Sequence, residues 1–475
     1  MAFPEFSQYD ALGLADLIRK KKISAREAVD EAIARAERLN PALNTIVFQA
    51  FDQAREAAKK PARGPFSGVP MLLKDMRAGA TGMPTRSGSR FSPNVPSDHD
   101  ATTVVRFKAA GLIPMGKTNV PEFGILPTTE SRLYGPAHNP WNLAHTPGGS
   151  SGGSAASVAA GIVPIAHSTD GGGSIRIPAS NCGLVGLKVS RGRITQGPDF
   201  SDSTSGLSVD NVVTKSVRDT AAALDLLSVV DYGDPYFALP PQGTYLEGIK
   251  RTPKRMKIAI ALKSLDGKAF HPDVTAALKK TAKLCEELGH TIEEASPALD
   301  SGSMTMAFMT LWAANTAIAV MGLSRMTGKP PSLDVIEGLT MGLYEQGRQI
   351  PAVQYLAMQQ TLFRAARIAA KFHETYDLWL TPTLGAPPLK LGTINVDEQD
   401  VQKAFEPILG YVPFTAMQNA TGQPAINLPL HWNKDNLPIG VQFVARSGDE
   451  MTLLRLAAEI ERAAPWAANY SKIAV

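Results

Sequence analysis

Cysteine is nearly absent from the sequence, which has only Cys182 and Cys285 among 475 residues. Two thiols about a hundred positions apart supply neither a disulfide framework nor a four-cysteine zinc site. The eight histidines include no pair at metal-ligand spacing, so we expect no metal site. Reduced, buried cysteines are typical of the cytoplasm, which is the predicted location.

A large excess of charge of either sign is also missing. Lys and Arg number 48 and Asp and Glu 44, which gives a net charge of +4 spread along the chain. This near balance provides little attraction for nucleic acid or a membrane surface, and we expect neither as a partner. The N-terminal residues lack an apolar core followed by a small-residue cleavage site, so no secretory signal is expected.

One long hydrophobic run is present, the uncharged segment 301–324. Its length meets the roughly 18–20 residues that span a bilayer. Polar side chains interrupt the run, among them Ser303, Thr310 and Asn315. We therefore predict a buried or cleft-lining helix here, with a membrane span as the alternative.

Short-range patterns predict alternating helices and strands. Ser24 and Glu27 have capping-box spacing at the start of a helix, which the Asn40-Pro41 pair is expected to end. Residues 68–75 predict a short buried strand, and residues 300–375 a mostly helical region. Such alternation along the chain indicates an α/β fold. Length alone suggests about three domains.

Two motif matches fail on their context. Residues 111–118 fit the phosphate-loop pattern, but a helix precedes them and an apolar, strand-like run fills them. Residues 148–152 fit the nucleophile-elbow pattern, but no buried strand stands directly before them. We expect neither nucleotide binding nor a serine–histidine triad at these places.

One lysine and two serine-bearing, glycine-rich blocks remain as candidates for chemistry. The blocks are Gly-Gly-Ser-Ser-Gly-Gly at 148–153 and Asp-Gly-Gly-Gly-Ser-Ile-Arg-Ile-Pro-Ala at 170–179, and the dipeptide Lys74-Asp75 lies upstream of both. Together they resemble the landmarks of the amidase signature family, serine hydrolases that use a Ser–cis-Ser–Lys triad. The resemblance extends to Asn139-Pro140-Trp141 and to 421–425, and covers nearly the whole chain.

The resemblance implies a role for each member of the triad. Ser174 corresponds to the nucleophile, Ser150 to a bridging serine on a cis peptide bond, and Lys74 to the base. A serine hydroxyl is a poor nucleophile without a neighbouring base. A lysine acts as a base near neutral pH only when burial lowers its pKa from ~10.4. Lys74 is therefore expected in a dry place, with no carboxylate salt-bridged to its amine.

Neighbouring residues of the two blocks are expected to support the triad. Four consecutive backbone N–H groups are predicted to bind the oxyanion of the tetrahedral intermediate, those of Gly171, Gly172, Gly173 and Ser174. Ser151 and Thr169 are expected to hydrogen-bond the serine loops, and Asp170 and Arg176 to form an ion pair that holds the oxyanion loop. Acyl transfer of this kind requires no cofactor.

The resemblance also implies the architecture, an amidase signature fold with a large mixed central sheet covered by helices on both faces. Residues 1–475 are then expected to form a single domain, which overrides the estimate of three from length. The signature core is expected at about 65–230, and a variable, mostly helical region at about 295–375 is expected to cover the substrate. A monomer or a homodimer is expected.

The reaction implied is hydrolysis of a C–N amide bond through an acyl-enzyme on Ser174, with carbamate and ester bonds as further candidates. Segments 186–188 and 191–194 look closest to nylon-oligomer (6-aminohexanoate cyclic dimer) hydrolases, and fit aryl-amidases and urethane-cleaving enzymes. Small, fairly hydrophobic amides are the expected substrates. Methionines crowd into 304–341, which favours a bulky, hydrophobic, loosely specified substrate if this segment covers the cleft, with plain helix packing as the alternative. Gly124 and Ile125 are expected on the leaving-group side.

One alternative within the family is a membrane-associated fatty-amide hydrolase, whose usual N-terminal span is not found in the sequence. The other is the glutaminase component of a tRNA-dependent amidotransferase, which releases ammonia from glutamine for a partner protein. Such components usually carry Gln after the signature Arg, where this chain has Ile177. The modest net charge also gives no footprint for RNA. The resemblance therefore favours an amidase that acts alone.

Overall fold

Eleven strands form one sheet in the computed structural model, which describes residues 3–473. Across this sheet the order is β1-β3-β2-β6-β8-β7-β12-β13-β11-β9-β10, and β4 pairs with β5 alone. The strands in chain order are β1 Ile46–Gln49, β2 Pro70–Lys74, β3 Ile113–Thr118, β4 Glu130–Ser131, β5 Gly135–Pro136, β6 Ile165–Asp170, β7 Val185–Lys188, β8 Val209–Thr214, β9 Lys257–Ile260, β10 Thr291–Glu294, β11 Leu378–Pro382, β12 Ala425–Trp432 and β13 Pro438–Val444.

Fifteen α-helices flank the sheet within the described residues. They are α1 Ala11–Arg19, α2 Ala25–Leu43, α3 Phe51–Ala57, α4 Thr102–Ala109, α5 Gly152–Ala159, α6 Arg176–Cys182, α7 Val217–Leu227, α8 Tyr245–Gly248, α9 Pro272–Glu287, α10 Ser301–Thr327, α11 Gly338–Gly347, α12 Ala352–Phe372, α13 Val401–Tyr411, α14 Thr415–Thr421 and α15 Glu450–Ala463. Short 3₁₀ helices lie at Pro4–Gln8, Glu122–Gly124 and Ala467–Lys472.

The sheet is mixed, as predicted. Strand β2 runs parallel to β3 and β6, while β6 and β8 run antiparallel. Strands β2, β3, β6, β8 and β13 are buried at every position. Strands buried on both faces read as apolar runs without alternation, which is why residues 68–75 were recognisable as a strand from sequence. Buried polar residues in β6 and β8 break that rule, and they lie beside the site described below.

The start of helix α2 agrees with the sequence and its end does not. Ser24 accepts the Glu27 N–H, and the Glu27 carboxylate accepts the Ser24 N–H, which completes the predicted capping box. The expected stop at Pro41 is wrong, since the helix continues to Leu43 and ends at Asn44 in the left-handed conformation. Proline in a last turn removes one N–H donor, and the remaining turn tolerates that loss.

The two misleading motifs have structural explanations. Residues 113–118 of the phosphate-loop match are the buried strand β3, so no loop is present to cradle a phosphate. Residues 148–151 form a loop that leads into α5, and no strand precedes them directly. The local structure thus agrees with the context read from the sequence at both motifs.

The uncharged run is helix α10, and among the described residues it is the one helix long and apolar enough to cross a membrane. It packs against α11 and α12, and residues from its N-terminal half line an apolar cleft. The cleft-lining interpretation of this segment is therefore confirmed.

The neighbouring parallel strands β2 and β6 bring the two halves of the site together. Leu72 of β2 pairs with Ala166 of β6, so the carboxyl end of each strand, at Lys74 and at Asp170, reaches the same edge of the sheet. Helices α5 and α6 begin shortly after Ser150 and Ser174. Sites in sheets of this kind lie at carboxyl ends of strands, where loops leave for the following helices.

Candidate active site

Lys74 is fully buried and bonded to hydroxyl groups. Its Nζ donates to Ser150 Oγ at 2.8 Å and to Thr169 Oγ1 at 2.7 Å. No ion pair among residues 3–473 involves Lys74. Burial lowers the pKa of Lys74 well below its usual value, and the nearby Arg77 charge lowers it further. The expectation of a dry amine without a salt bridge is met.

Two carboxylates near Lys74 are neutralised by other partners. Asp210 pairs with Arg77 at 3.3 Å and with His167 Nε2 at 3.1 Å. Asp170 pairs with Arg176, as described below. Both carboxylates still raise the pKa of Lys74, but desolvation by burial is the larger influence and lowers it.

The loop that carries Ser150 is held against its neighbours. The peptide bond between Gly149 and Ser150 is cis. A side chain at position 149 would collide with the carbonyl oxygen of Thr128, so glycine is required there. Ser151 clamps the loop to β6, because its Oγ donates to Thr169 O at 3.2 Å and accepts the Thr169 N–H at 3.3 Å. Ser151 and Thr169 thus make the contacts predicted for them.

Ser174 lines the cleft and is 7% exposed. Its hydroxyl makes no hydrogen bond with Ser150 or any other side chain within the described part of the chain. Of the three residues of the predicted triad, Lys74 and Ser150 are thus in hydrogen-bond contact, while Ser174 Oγ has no side-chain partner. Catalytic hydrogen bonds are often long in a ligand-free enzyme and tighten when substrate binds.

The predicted oxyanion loop requires one correction. The Gly173 N–H donates to Asp170 Oδ1 at 2.8 Å, and the Ile175 N–H donates to Asp170 Oδ2 at 3.2 Å. The Gly173 amide is therefore committed to a carboxylate and unavailable to a substrate oxygen. The N–H groups of the other three predicted residues, Gly171, Gly172 and Ser174, make no hydrogen bond within residues 3–473.

Asp170 and Arg176 form the predicted ion pair, buried on both sides. Arg176 Nε and Nη2 each lie 2.9 Å from one carboxylate oxygen of Asp170, a bidentate arrangement. Burial alone raises the pKa of a carboxyl, but the Arg176 charge and its hydrogen bonds outweigh burial and lower the pKa of Asp170 to about 2. The pair fixes the carboxylate that in turn holds the Gly173 amide.

Arg176→Met is expected to destabilise the protein by about 3–5 kcal/mol, because it leaves the Asp170 carboxylate buried and uncompensated. In the wild-type protein the Asp170–Arg176 pair contributes its full stabilisation above the ordinary Asp pKa, and this stabilisation is lost as the pH falls towards about 2. The difference in free energy of unfolding between the wild-type protein and Arg176→Met should therefore become smaller below about pH 4. Urea unfolding across this pH range measures it.

A matched comparison is another buried ion pair, Arg193–Glu450, at 2.8 Å. Arg193→Met should cost a similar amount of stability, because it also strands a buried carboxylate. A variant at Arg176 as stable as the wild-type protein at neutral pH would contradict the importance of the pair.

An apolar cleft of about 150 Å³ opens onto Ser174 and Gly172. Its walls come from residues 125–127, from α10, and from the segment 405–420 that includes α13 and α14. None of the described residues that line it carries a charge. Ile125 lines the cleft as predicted. Gly124 does not, although a Cβ built on it would lie 3.1 Å from Ser150 Oγ.

The sequence missed one wall of the cleft. The predicted cover at about 295–375 is supplied by α10 alone, because α11 and α12 contribute no lining residue. The other wall is residues 405–420, with Phe405, Ile408 and Met417 among its apolar side chains. The apolar spacing of Val401, Phe405 and Ile408 indicates an amphipathic helix, but nothing in that pattern says which surface it faces.

Metal and thiol chemistry find no support at the site. Among the described residues no group of three or more His, Cys, Asp or Glu side chains is placed to hold a metal ion. Burial raises the pKa of the Cys182 thiol well above its usual value. Its sulfur donates to Pro147 O at 3.4 Å. Cys182 is therefore a buried structural residue beside the serine loop, as expected.

The sequence and the fold both match known amidases. A model of the amidase family matches residues 27–454. The 6-aminohexanoate-cyclic-dimer hydrolase of Paenarthrobacter ureafaciens is 36% identical over 472 residues, covering 97% of this chain and 96% of that protein. A structure of 6-aminohexanoate cyclic dimer hydrolase matches with a TM-score of 0.93 at 34% identity, covering 97% of this chain and 98% of that one.

Two further structures cover almost all of both chains. A bacterial aryl acylamidase of the amidase signature enzymes matches with a TM-score of 0.89 at 28% identity, covering 98% of each chain. A component of the glutamyl-tRNA(Gln) amidotransferase from Thermotoga maritima is more distant, with a TM-score of 0.78 at 26% identity, covering 98% of this chain and 97% of that one. The chain belongs to the amidase signature family, because the family model matches residues 27–454 and a relative 36% identical covers 97% of the chain.

Proposed function

We propose that this amidase cleaves small, uncharged, fairly hydrophobic amides through a covalent acyl-enzyme on Ser174. As a member of its family, the chain is a hydrolase acting on carbon–nitrogen bonds. One observation carries the finer proposal, a fully buried Lys74 amine bonded to Ser150 beside an apolar cleft that Ser174 lines. Carbamates and esters present a similar carbonyl carbon and remain candidates.

The proposed acylation step follows from these positions. Neutral Lys74 donates to Thr169 and accepts the proton of Ser150, while Ser150 accepts the proton of Ser174. Ser174 Oγ then forms a bond to the substrate carbonyl carbon, and the carbonyl oxygen becomes an oxyanion. The free N–H groups of Gly171 and Gly172 stabilise that charge, with Ser174 N–H as a third donor.

The remaining steps reverse the proton path. The C–N bond breaks, and the leaving amine takes a proton from Ser150, which Lys74 replaces. A water molecule then gives a proton to the same relay and attacks the acyl carbon, so that the acid leaves and Ser174 is restored. Every proton removed from a nucleophile is returned to a leaving group, and no cofactor is required.

The chemistry of the cleft supports an uncharged substrate. Free glutamine carries an ammonium and a carboxylate group, and burying either without a charged partner is costly. The cleft offers no such partner, and Ile177 lines it where the amidotransferase pattern has glutamine. This observation, with the greater distance of the amidotransferase structure, favours a neutral amide over glutamine.

An aromatic shelf, formed by Phe308 and Trp312, borders the proposed oxyanion loop. The two rings stack with centroids 5.2 Å apart. A methyl group built on Gly172 would lie 3.2 Å from the Phe308 ring, and one built on Gly171 would lie 3.2 Å from the Trp312 ring. We infer that this shelf binds the apolar part of the substrate next to the reacting carbonyl.

Phe308→Ala is expected to lower kcat/KM for an aryl amide by about 10- to 100-fold, because a buried aromatic contact is worth about 1.5–3 kcal/mol. Acetamide, which is too small to cover the shelf, should lose less than about threefold. Phe363→Ala, at an exposed phenylalanine outside the cleft, is the matched control. Equal losses for the aryl amide and acetamide would contradict substrate binding on the shelf.

The proposed function is tested with a panel of substrates and mass spectrometry. The panel contains 6-aminohexanoate cyclic dimer, an anilide, a carbamate, an ester and glutamine. We expect turnover of at least one neutral amide, an acyl group of matching mass on Ser174 after rapid quenching, and no comparable turnover of glutamine. Preferred hydrolysis of glutamine, or an acyl group on another residue, would overturn the proposal.

Three properties expected from the sequence stay predictions. They are a cytoplasmic location, the lack of nucleic-acid or membrane partners, and a monomeric or homodimeric state. Organisation of residues 1–475 as a single domain is consistent with one continuous sheet that contains strands from β1 to β13, and remains part of the proposal.

A further inference from the structure

Two carbonyl groups of the oxyanion loop are held by a helix far away in sequence. Asn419 Nδ2 donates to the backbone oxygen of Asp170 at 2.8 Å. Thr415 Oγ1 donates to the backbone oxygen of Gly172 at 2.7 Å. Both side chains belong to α14, more than 240 residues further along the chain.

The peptide unit between Gly172 and Gly173 is fixed at both ends. Its carbonyl oxygen accepts from Thr415, and its N–H donates to Asp170. The unit between Asp170 and Gly171 is fixed through its own carbonyl oxygen by Asn419. The Gly171 N–H belongs to the unit that Asn419 fixes. The Gly172 N–H belongs to the next unit, which lies between the two fixed peptide planes, so its direction is set by them.

Glycine makes this external support necessary. A run of glycines has the greatest backbone freedom of any sequence and no side chains to hold its peptide planes. Gly173 has a φ of +136°, and a Cβ there would collide with Thr415 Oγ1, so the loop and α14 pack together with no room for a side chain at this position. The orientation of the loop therefore depends on contacts supplied from outside it.

Helix α14 is itself rigidly attached and also touches the cleft. Arg176 Nη2 donates to Thr415 O and to Asn419 Oδ1, both at 2.8 Å, which ties the helix to the Asp170 carboxylate. Ala416, Met417 and Ala420 of the same helix line the cleft. One short helix thus contacts both the substrate space and the backbone that borders the reacting carbonyl.

We infer that Thr415 is a positioning residue for amide hydrolysis, which fixes the Gly172 carbonyl and so, together with Asn419, aims the N–H groups of Gly171 and Gly172 at the oxyanion. The inference rests on the proposed acyl-enzyme at Ser174. Thr415 acts through the loop and takes no proton. Its contribution belongs to the transition state, because the substrate carbonyl carries little charge before attack.

The test compares two substitutions at Thr415 with one elsewhere on the helix. Thr415→Val removes the hydroxyl and keeps the shape, whereas Thr415→Ser keeps the hydroxyl. Thr421→Val is the matched control, because the Thr421 hydroxyl shares its proton between Met417 O and Gln423 Oε1 and makes no hydrogen bond with the loop among the described residues. All three variants are assayed on the best neutral amide from the panel, together with their thermal unfolding.

We expect Thr415→Val to lower kcat by about 10- to 100-fold with less than about a threefold change in KM, the cost of misaligned groups near a reacting centre. Thr415→Ser should restore kcat to within about threefold of the wild-type value, and Thr421→Val should leave it within the same range. A kcat for Thr415→Val equal to that of Thr421→Val would overturn the inference.

An inhibitor pair separates positioning from general damage. A trifluoromethyl ketone adds to a nucleophilic serine and places an oxyanion in the loop, whereas an unreactive ketone-free analogue of the same shape does not. Thr415→Val should weaken the first inhibitor by the same factor as kcat and leave the second unchanged. Equal weakening of both would assign Thr415 a purely structural role. Missing acylation of Ser174 in the wild-type enzyme would instead refute the proposed function.

Discussion

Replacing Ser174 with alanine is expected to reduce kcat for amide hydrolysis by about 10⁴- to 10⁶-fold, the scale found when a serine hydrolase loses its nucleophile. The substitution removes one hydroxyl that makes no side-chain hydrogen bond among the described residues. The free energy of unfolding should therefore stay within about 1 kcal/mol of the wild-type value. Rate measurements with the panel amide and urea unfolding provide both quantities.

Ser157→Ala provides the control for loss of a buried serine hydroxyl. Ser157 lies in α5, fully buried, and its hydroxyl has no hydrogen-bond partner within the described residues. Its removal should leave both rate and stability near wild type. Full activity in Ser174→Ala, or an acyl group still detected by mass in that variant, would remove Ser174 from the mechanism.

Replacing Lys74 with methionine is expected to lower kcat by about 10²- to 10⁴-fold, the usual contribution of general acid–base catalysis. Methionine keeps the length of the side chain and removes the amine that accepts the proton. In the wild-type enzyme, activity should rise with pH through the pKa of Lys74, because only the neutral amine is a base. Burial places that pKa well below its ordinary value, so the rise lies well below pH 10.5.

Lys215→Met is the control for the pH profile. Lys215 is also buried, and burial lowers its pKa to about 7, but it lies beyond the opposite end of β8 from the site. Its removal should leave the rising limb in place, whereas Lys74→Met should abolish it. If the rising limb of the pH profile persists in Lys74→Met and vanishes in Lys215→Met, Lys215 and not Lys74 transfers the proton, and the prediction is wrong.

The lowered pKa of Lys74 also makes the stability of the protein depend on pH. The folded state binds fewer protons than the unfolded state between the lowered pKa of Lys74 and its ordinary value, so stability rises with pH in that window. Lys74→Met removes this dependence. We expect the variant to be folded at neutral pH, which allows its loss of activity to be attributed to chemistry.

The sequence predicted the parts of the site that lie in short, distinctive blocks. Lys74, Ser150 and Ser174 were recognisable because the glycine-rich segments around them resemble a family, and neighbouring strands β2 and β6 bring them to one edge. The buried strand β2 was recognisable because residues with both faces covered are uniformly apolar. These features depend on local pattern, and local pattern is what a sequence displays.

Contacts between distant segments could not be predicted from local sequence patterns. Thr415 and Asn419 bond to residues more than 240 positions away, and neither stands in a motif. The commitment of the Gly173 amide to Asp170 depends on how one side chain turns back over its own loop, which glycine-rich sequences do not specify. The helix end at Leu43 was missed because one proline in a last turn is tolerated.

The burial of both cysteines gives the molecule a practical property. Cys182 and Cys285 have no exposed surface, and burial raises the pKa of each thiol, that of Cys285 to about 12. Thiolates are the species that react with maleimides, so both native sulfurs are inert towards such reagents. A cysteine introduced at the exposed Ile318 of α10 would then be the single reactive handle, and a fluorophore attached there would report on the helix that forms one wall of the apolar cleft, without prior removal of any native residue.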